Sequence, residues 1–219
     1  MNAREHFHAL LDNLRPLLRA DEGFTLDYRA EVSDFVRLNR ARVRQAGRVQ
    51  QIFATLALYL GERHARFELS LTGVAEEDRA RLRHALERLR AVVPALAPDP
   101  YLRLNREPWR SESAEAGTMP DGAAVVGQIV AAAAGLDLVG IYAAGPQYQG
   151  FASSWGALGW HAASSFNFDW SLFHANGQAV KSAYAGQRWD ALAFARRMAS
   201  AREQLEYLGR PALTLAPGD

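Results

Sequence analysis

Helical and strand periodicities alternate along the chain and predict its elements. Near the N-terminus, apolar residues recur every three or four positions, which predicts an amphipathic helix up to about Ala20, bent by Pro16 and ended by Gly23. Residues 24–72 predict an antiparallel meander of about four strands. The last of these strands is the clearest, because every second residue is apolar: Ala65, Phe67, Leu69 and Leu71.

The middle of the chain predicts a helix followed by a loop. Residues 75–93 place leucines on one helical face and arginines elsewhere, so a half-buried helix is expected. From residue 94 to 122 the periodicity is lost, while prolines and a Ser/Glu-rich patch accumulate. This composition predicts a long exposed loop, and loops of such length usually have a function.

The last third of the chain predicts two helices and a hairpin. Small residues at 123–134 indicate a helix, and 138–143 a strand. Asn176-Gly177 separates two alternating runs, 166–174 and 178–184, and this dipeptide is typical of a tight hairpin turn. Asp190 is then expected to cap a final helix that ends before Gly209 and Pro211.

These elements predict an α+β fold, in which an antiparallel or mixed β-sheet packs against amphipathic helices. One domain is expected over residues 1–210. Within it, sub-parts 1–93 and 123–210 would be joined by the exposed loop 94–122. Residues 211–219 are interpreted as a tail.

Composition limits the classes of function. The 219 residues are 49% hydrophobic and 22% charged, which is typical of a globular protein with a substantial core. The net charge of +1 gives no overall field that would attract nucleic acid or an anionic membrane. The absence of cysteine excludes disulfides and thiolate metal sites. With neither a signal peptide nor a run of about 18 apolar residues, the expected location is the cytoplasm.

Known catalytic motifs are absent from the chain. A zinc hydrolase needs two histidines about one helical turn apart and a carboxylate, and none of the six histidines forms such a pair. Ser153-Ser154 lacks the strand, G-x-S-x-G and helix context of a serine nucleophile. No phosphate-binding glycine motif occurs either. The sequence therefore predicts no catalytic residue, metal ligand or cofactor in this chain.

The segment Gly140–Trp170 combines glycine, small hydroxyl residues and aromatics in a way that indicates a shaped surface. An extended peptide could add as a strand to a sheet edge there, or the aromatics could form an interface with another domain or subunit. For His161 a place in the fold, held by internal hydrogen bonds, is favoured over contact with a substrate. The candidate peptide-binding or interface residues in it are Tyr142, Ser153, Trp155, Trp160 and His161.

The block FVRLNRARVRQAGRVQQ at 35–51 supplies two further candidates for peptide binding or an interface, Arg42 and Arg44. These arginines share strand parity with Arg48, so their guanidinium groups could form a row on one sheet surface. Such a row could bind phosphates, although arginines on a sheet more often form ion pairs or subunit contacts. Asp169 is expected to have a structural partner, because an unpaired carboxylate among aromatics is costly, and an arginine of the 40–48 run is one candidate.

Taken together, residues 35–51 and the run GIYAAGPQYQGFASSWGALGWHAASSFNFDW resemble the TldD/PmbA family, one of whose members is also called TldE. The resemblance spans nearly the whole chain. It implies a metallopeptidase system whose zinc sits on an H-E-x-x-x-H helix in the C-terminal half of the TldD member. The TldE member lacks that motif, and the two associate. Ser153 departs from the family, where asparagine is often expected.

The resemblance implies that this chain is the non-catalytic N-terminal half of a TldE-like subunit, inactive alone. Residues 211–219 would then lead into a missing C-terminal domain. The implied partners are a zinc-bearing TldD-like peptidase subunit, the missing domain and a peptide substrate. Two alternatives stay open: a stand-alone module that binds peptides or proteins without enzymatic activity, and, less favoured, a nucleic-acid-binding domain.

Overall fold

The computed structural model describes residues 2–115, 117, 119, 121–211, 213 and 218. The four helices are α1 (Ala3–Leu14), α2 (Ala75–Val92), α3 (Gly122–Ala132) and α4 (Ala191–Tyr207), with short 3-10 turns at Arg15–Leu17 and Val93–Ala95. The seven strands are β1 (Glu22–Asn39), β2 (Arg42–Leu60), β3 (Arg63–Ser70), β4 (Arg110–Glu115), β5 (Asp137–Ser153), β6 (Leu158–Phe173) and β7 (Ala179–Gly186). No helix in the described part of the chain is long and apolar enough to cross a membrane.

The strands form a mixed sheet in the order β3-β2-β1-β5-β6-β4, and β7 pairs with β6 as well. β3 is antiparallel to β2 and β7 is antiparallel to β6, whereas β4 runs parallel to β6. The predicted α+β class with a mixed sheet and packed helices is confirmed.

The chain divides into two compact units. Unit 1 comprises residues 1–32, 50–116 and 146–163, and unit 2 comprises residues 33–49, 117–145 and 164–219. The long strands β1, β2, β5 and β6 each contribute residues to both units, so each unit draws on both predicted sub-parts, 1–93 and 123–210. The predicted tail 211–219 lies largely outside the described residues.

The N-terminal half differs from the prediction in where its elements begin and end. α1 starts at the Asn2 cap, whose side chain accepts hydrogen bonds from two backbone N–H groups, and gives way at Arg15 to the 3-10 turn that contains Pro16. The helix is therefore shorter than predicted, because proline cannot donate the next helical hydrogen bond. Gly23 lies inside β1. Residues 22–70 form three strands rather than about four, since β1 and β2 run for 18 and 19 residues without interruption.

The predicted exposed loop 94–122 contains a strand. Residues 110–115 form β4, which pairs in parallel with β6 from the Arg110–Leu158 pair to the Glu115–Ala163 pair. All six β4 residues are exposed, so the usual alternation of buried and exposed positions is missing. The interpretation of this stretch as a loop was wrong, because its hydrogen bonds to β6 hold it extended without an apolar face.

The elements predicted near the C-terminus are confirmed. β6 and β7 form an antiparallel hairpin, and Gly177 in its turn has a φ of 86°. β6 extends back to Leu158, well before the predicted start of the hairpin. The Asp190 carboxylate caps α4 by accepting hydrogen bonds from the backbone N–H groups of Leu192 and Ala193.

The core of unit 1 lies between two helices and one face of its strands. α1 contributes Phe7, Leu10, Leu11 and Leu14, and α2 contributes Leu82, Leu86 and Leu89. The strand residues that meet them occupy every second position, as Phe24, Leu26 and Tyr28 do in β1. The opposite face of these strands carries polar side chains, so helix packing leaves one face of the unit 1 strands open.

A polar network is buried within this core. His6 Nδ1 lies 3.1 Å from the Tyr28 hydroxyl, which can donate to it, and His6 Nε2 lies 3.1 Å from the Asp78 carboxylate without the alignment of a hydrogen bond. The Asp78 carboxylate also accepts the backbone N–H groups of Thr72 and Gly73. Asp78 is fully buried. Its contacts connect α1 with the segment before α2, and the contact between His6 and Tyr28 connects α1 with β1.

Unit 2 has its own core. α3 contributes Val125 and Ile129, Ala133 follows directly after it, and α4 contributes Phe194, Met198 and Ala201. The strands contribute mostly aromatic residues: Tyr142, Phe166, Phe168, Trp170 and Tyr184. Edge-on and stacked ring contacts link these residues to α4, as between Trp170 and Phe194 with centroids 6.0 Å apart.

We expect the free energy of unfolding to decrease as the pH falls below about 6.5, the ordinary pKa of histidine. Burial lowers the pKa of His6 and Arg79 adds to that effect, while Asp78 opposes it. The unfolded chain therefore binds the His6 proton more readily than the folded chain does. Urea unfolding between pH 7.5 and 5.5 should show this loss. His6→Gln should have a smaller pH slope, whatever its absolute stability.

The matched control is His8→Gln, two residues away on α1 and only half-buried. The pH slope of His6→Gln should be smaller than that of His8→Gln. An unchanged slope in His6→Gln would contradict the assignment of this pH dependence to His6.

Candidate functional site

An open groove of about 960 Å³ lies on the uncovered strand face of unit 1. Its volume is within the range of ligand sites in proteins. The side chains that line it come from β1 to β6 or lie just before β4: Asp27, Arg29, Thr55, Arg66, Glu68, Trp109, Ser111, Ser113, Gln149, Phe151 and His161.

Strand alternation explains why these residues meet. In β1, Tyr28 points into the helix-covered core, so its neighbours Asp27 and Arg29 point into the groove. In β6, Trp160 is buried against the ring of Phe7, with centroids 5.7 Å apart, and His161 is exposed. The burial of one residue by the helices therefore turns the next residue toward the groove.

Two aromatic rings form an apolar wall of the groove. The rings of Trp109 and Phe151 are stacked with their centroids 5.7 Å apart and their planes within 5°. Gly159 lies beneath the indole, where a Cβ would come within 3.0 Å of the Trp109 ring. Glycine at this position therefore lets Trp109 lie close to the strand backbone.

The rest of the groove carries charges of both signs. Arg29 forms an ion pair with Glu68 at 2.9 Å, and the Thr55 hydroxyl lies 3.4 Å from the same carboxylate. Asp27 is solvent-accessible at the floor but surrounded by protein; this desolvation raises its pKa, and the charge of Arg29 opposes the rise. Arg66 adds a further cation. Such a surface suits polar ligands without selecting for a single sign of charge.

β4 borders the groove. Ser111 and Ser113 line it, whereas the intervening Glu112 points away and pairs with Arg4 of α1 at 2.7 Å. One edge of β4 pairs with β6. Within the described ranges, no strand pairs with its other edge. The groove thus ends at a strand that can accept another extended segment.

Two of the predicted candidates belong to the groove. The His161 ring faces it and has no hydrogen bond to any residue in the described part of the chain. Trp160 borders the groove, but its ring is 8% exposed and packs against Phe7, Tyr28 and Tyr148. The structure therefore leaves His161 available for a ligand and makes Trp160 mainly a packing residue.

Trp155 lies in the turn between β5 and β6, and Ser153 is the last residue of β5 before that turn. The Trp155 ring contacts Gly23, lies 5.7 Å from the Tyr59 ring and is covered by the Arg106 guanidinium at 5.5 Å. Ser153 is 2% exposed, and its hydroxyl accepts the backbone N–H groups of Trp155 and Ala157 at 3.2 Å each. The Ser153 hydroxyl therefore shapes the turn.

The other three candidates are in unit 2. Tyr142 is buried, its ring meets Phe166 and Trp189, and burial raises the pKa of its phenol. Arg42 and Arg44 lie on β2 and are exposed. The seven predicted residues thus do not form a single site.

Two further expectations about unit 2 concern charge pairs. Asp169 has the expected structural partner, because it accepts a hydrogen bond from the Asn167 amide at 2.6 Å, but that partner is an asparagine and not an arginine of the 40–48 run. Asn167 stands two residues away on the same strand face, where it reaches Asp169 more easily than a residue of β2 does. Of the predicted arginine row, Arg48 forms a two-point ion pair with Asp34, at 2.7 and 2.8 Å.

Several groove residues were absent from the sequence-based candidates. Trp109 lay in the stretch interpreted as a loop, and Asp27 and Arg29 gave no motif. The polar face of β3, with Arg66 and Glu68, was a usable signal because it opposes a clear apolar face. In the described part of the chain, no group of three histidine, aspartate or glutamate side chains could hold a metal ion.

Solved structures share this architecture. TldE from Thermococcus kodakarensis superposes with a TM-score of 0.60 at 11% identity, covering 94% of this chain and 46% of that one. A proposed modulator of DNA gyrase from Thermotoga maritima gives 0.59 at 9% identity, with 96% and 50% covered. Another from Bacteroides thetaiotaomicron gives 0.55 at 12% identity, with 93% and 48% covered.

The chain has the fold found in these proteins. It spans about half the length of the solved structures it matches. No protein-family model and no curated protein sequence matches it. The TldE-like fold agrees with the resemblance that residues 35–51 and 140–170 carry.

Ser153→Ala should lower the free energy of unfolding by about 1–3 kcal/mol, because two backbone N–H groups in the buried turn lose their acceptor. Thermal or urea unfolding measures the change. Ser113→Ala, at an exposed groove position, should leave stability within about 0.5 kcal/mol of the unaltered chain. Equal stability of both variants would show that the Ser153 hydroxyl does not support the turn.

Proposed function

We propose that the chain belongs to the TldD/PmbA family and acts as a non-catalytic, TldE-like part of a peptidase assembly. Its role is to hold an extended peptide in the unit 1 groove. The sequence resemblance and the shared fold with TldE from Thermococcus kodakarensis support this assignment. The observation that carries the role is the open groove of about 960 Å³ beside residues 110–114 of β4, whose outer edge pairs with no strand among the described residues.

The groove suits peptides of varied sequence. A peptide presents amides throughout and apolar, cationic or anionic side chains in any order. The stacked Trp109 and Phe151 offer contact to apolar side chains, while Arg29, Glu68 and Arg66 offer both signs of charge. The polar side chains of the groove are hydrated before a peptide binds. If the bound peptide leaves part of that water in place, the free-energy cost of desolvation is small.

β4 gives the peptide its direction. An extended segment can pair with the outer edge of residues 110–114 of β4 through main-chain hydrogen bonds, which supply affinity with little sequence preference. Every second side chain of that segment would then face the same side as Ser111 and Ser113. His161 lies two strand positions along from Gly159 on the same face, where its imidazole can bond a peptide amide.

Peptide cleavage would belong to a partner. The resemblance implies a zinc-bearing TldD-like subunit, and the chain would supply part of the peptide chamber and of the subunit contact. We expect this assembly in the cytoplasm. Candidates for that contact are Arg42 and Arg44, which are exposed. The second candidate function is a stand-alone peptide-binding module, favoured by the fact that the groove lies wholly within unit 1. Nucleic-acid binding is disfavoured because the groove carries carboxylates as well as cations.

Trp109→Ala should weaken binding of an unstructured, dye-labelled decapeptide by about fivefold or more, since an aromatic contact residue is removed. Fluorescence anisotropy gives the dissociation constants. The matched control is Tyr101→Ala, because Tyr101 is 85% exposed and lies outside the groove.

Pairing of the decapeptide with β4 as an added strand can be tested by blocking its backbone N–H groups. N-methylation of alternate peptide nitrogens should abolish binding in one register and spare it in the other, because an edge strand pairs with every second residue. Equal loss in both registers, or equal effects of Trp109→Ala and Tyr101→Ala, would remove the groove and β4 from the proposal.

The chain should co-purify with a zinc-bearing TldD-like subunit from the same source, and peptidase activity should appear only in the mixture. A chelator should abolish that activity, and added zinc should restore it. Association without activity would retain the structural role alone. An isolated, inert chain that still binds the decapeptide would favour the stand-alone module.

A further inference from the structure

A second cavity, of about 600 Å³, lies in unit 2 and shares no lining residue with the groove. It is lined by Asn39, Arg40, Arg42, Asp137, Val139 and Phe173. These residues come from the turn between β1 and β2, the strands that flank it, the start of β5 and the end of β6. The cavity therefore combines cationic, anionic and apolar side chains within one unit.

The turn that forms one wall is strained. Arg40 and Ala41 have φ values of 50° and 54°, in the left-handed region that glycine and asparagine adopt most readily. A two-residue hairpin turn with both φ values positive normally carries Asn-Gly. Arginine at the first position is therefore unfavourable for the backbone, and such strain concentrates at functional positions.

The surrounding structure holds this turn in place. The Ala41 side chain is 8% exposed, and its backbone N–H donates to the Leu138 carbonyl at 3.1 Å. Leu138 lies between the two β5 residues of the cavity, Asp137 and Val139. The Arg40 backbone is thus tied to the strand that supplies the opposite lining.

The guanidinium groups in the cavity are free to bind. In the part of the chain that the structure describes, neither Arg40 nor Arg42 has a side-chain hydrogen bond or ion pair, in contrast to the paired Arg48. Asp137 lowers the net charge of the lining to one positive. A singly charged anion matches that net charge. A phosphate dianion would exceed it and would be repelled more strongly by the Asp137 carboxylate.

Apolar side chains stand beside these charges. Val139 and Phe173 are each 40% exposed and line the same cavity as the arginines, so both offer apolar surface to a ligand there. A ligand whose apolar group covers both would remove that surface from water. Arginine pairs well with carboxylates because its planar fork can donate two parallel hydrogen bonds.

We propose that this cavity binds an organic monoanion with an apolar group next to its carboxylate, the carboxylate on Arg40 and Arg42 and the apolar group on Val139 and Phe173. A peptide ending in an apolar residue and a free aliphatic acid share this chemistry. The site is independent of peptide binding in the unit 1 groove and would survive if that proposed function failed.

The test uses the whole chain and isothermal titration calorimetry. The probes are N-acetyl-Ala-Phe with a free carboxylate, the same dipeptide amidated, octanoate and inorganic phosphate. The free acid should bind at least about tenfold more tightly than the amide, because the amide loses charge-assisted hydrogen bonds. Octanoate binding without dipeptide binding would identify an aliphatic acid as the source of the ligand.

Arg42→Ala should weaken binding of the free acid by about tenfold or more. Arg44→Ala is the matched control, since it removes the same charge from the same strand outside the cavity, and it should change binding by less than about twofold. Equal effects of the two substitutions would overturn the site and leave a general charge effect.

Arg40→Asn separates the effect of residue 40 on the backbone conformation of the turn from its role in binding the carboxylate. Asparagine tolerates the left-handed conformation, so the melting temperature should rise, by about 2 °C, while the free acid binds about tenfold more weakly. Unchanged binding in Arg40→Asn, tighter binding of phosphate than of the free acid, or no binding of any carboxylate would overturn the proposal.

Discussion

Burial of every second side chain under the helices determines what the strands of unit 1 present on their other face. Tyr28 and Trp160 pack against Phe7 of α1, and this contact fixes the rotation of β1 and β6 about their own axes. Asp27, Arg29 and His161 are consequently turned outward. A shift of either strand by one residue would bury these charges and expose the aromatics, which the hydrophobic core forbids.

The groove follows from this packing and needs no catalytic motif. Gly159 leaves room below the Trp109 indole and so lets it lie close to the strands, and Phe151 stacks on it from β5. The buried network of His6, Tyr28 and Asp78 ties α1 and the segment before α2 to β1 beneath the groove floor. A site built on strands held this way keeps its shape before a ligand arrives, which reduces the entropy cost of binding.

In unit 2, the arginines of the β1–β2 hairpin differ in whether they have an ion-pair partner among the described residues. Arg48 is neutralised by Asp34, so the predicted row of arginines is not uniform. Arg40 and Arg42 border a cavity with exposed apolar neighbours, at a turn whose backbone would be more stable with asparagine or glycine. The hairpin of β1 and β2 thus contains both a paired arginine, Arg48, and an arginine in an unfavourable backbone conformation, Arg40. The unfavourable conformation of Arg40 is the feature that calls for a functional explanation.

The sequence by itself determined the α+β class, the apolar face of β3, the hairpin turn at Gly177 and the Asp190 cap, because each depends on neighbours close along the chain. It also carried the resemblance to the TldD/PmbA family. Tertiary structure alone decided that residues 110–115 form a strand, since their stability comes from hydrogen bonds to β6 and not from an apolar pattern. It also decided that Ser153 and Tyr142 are buried while Asp27, Arg29 and Trp109 share a groove with His161. These residues are far apart along the chain, and only the pairing of strands and the covering of one face by helices bring them together.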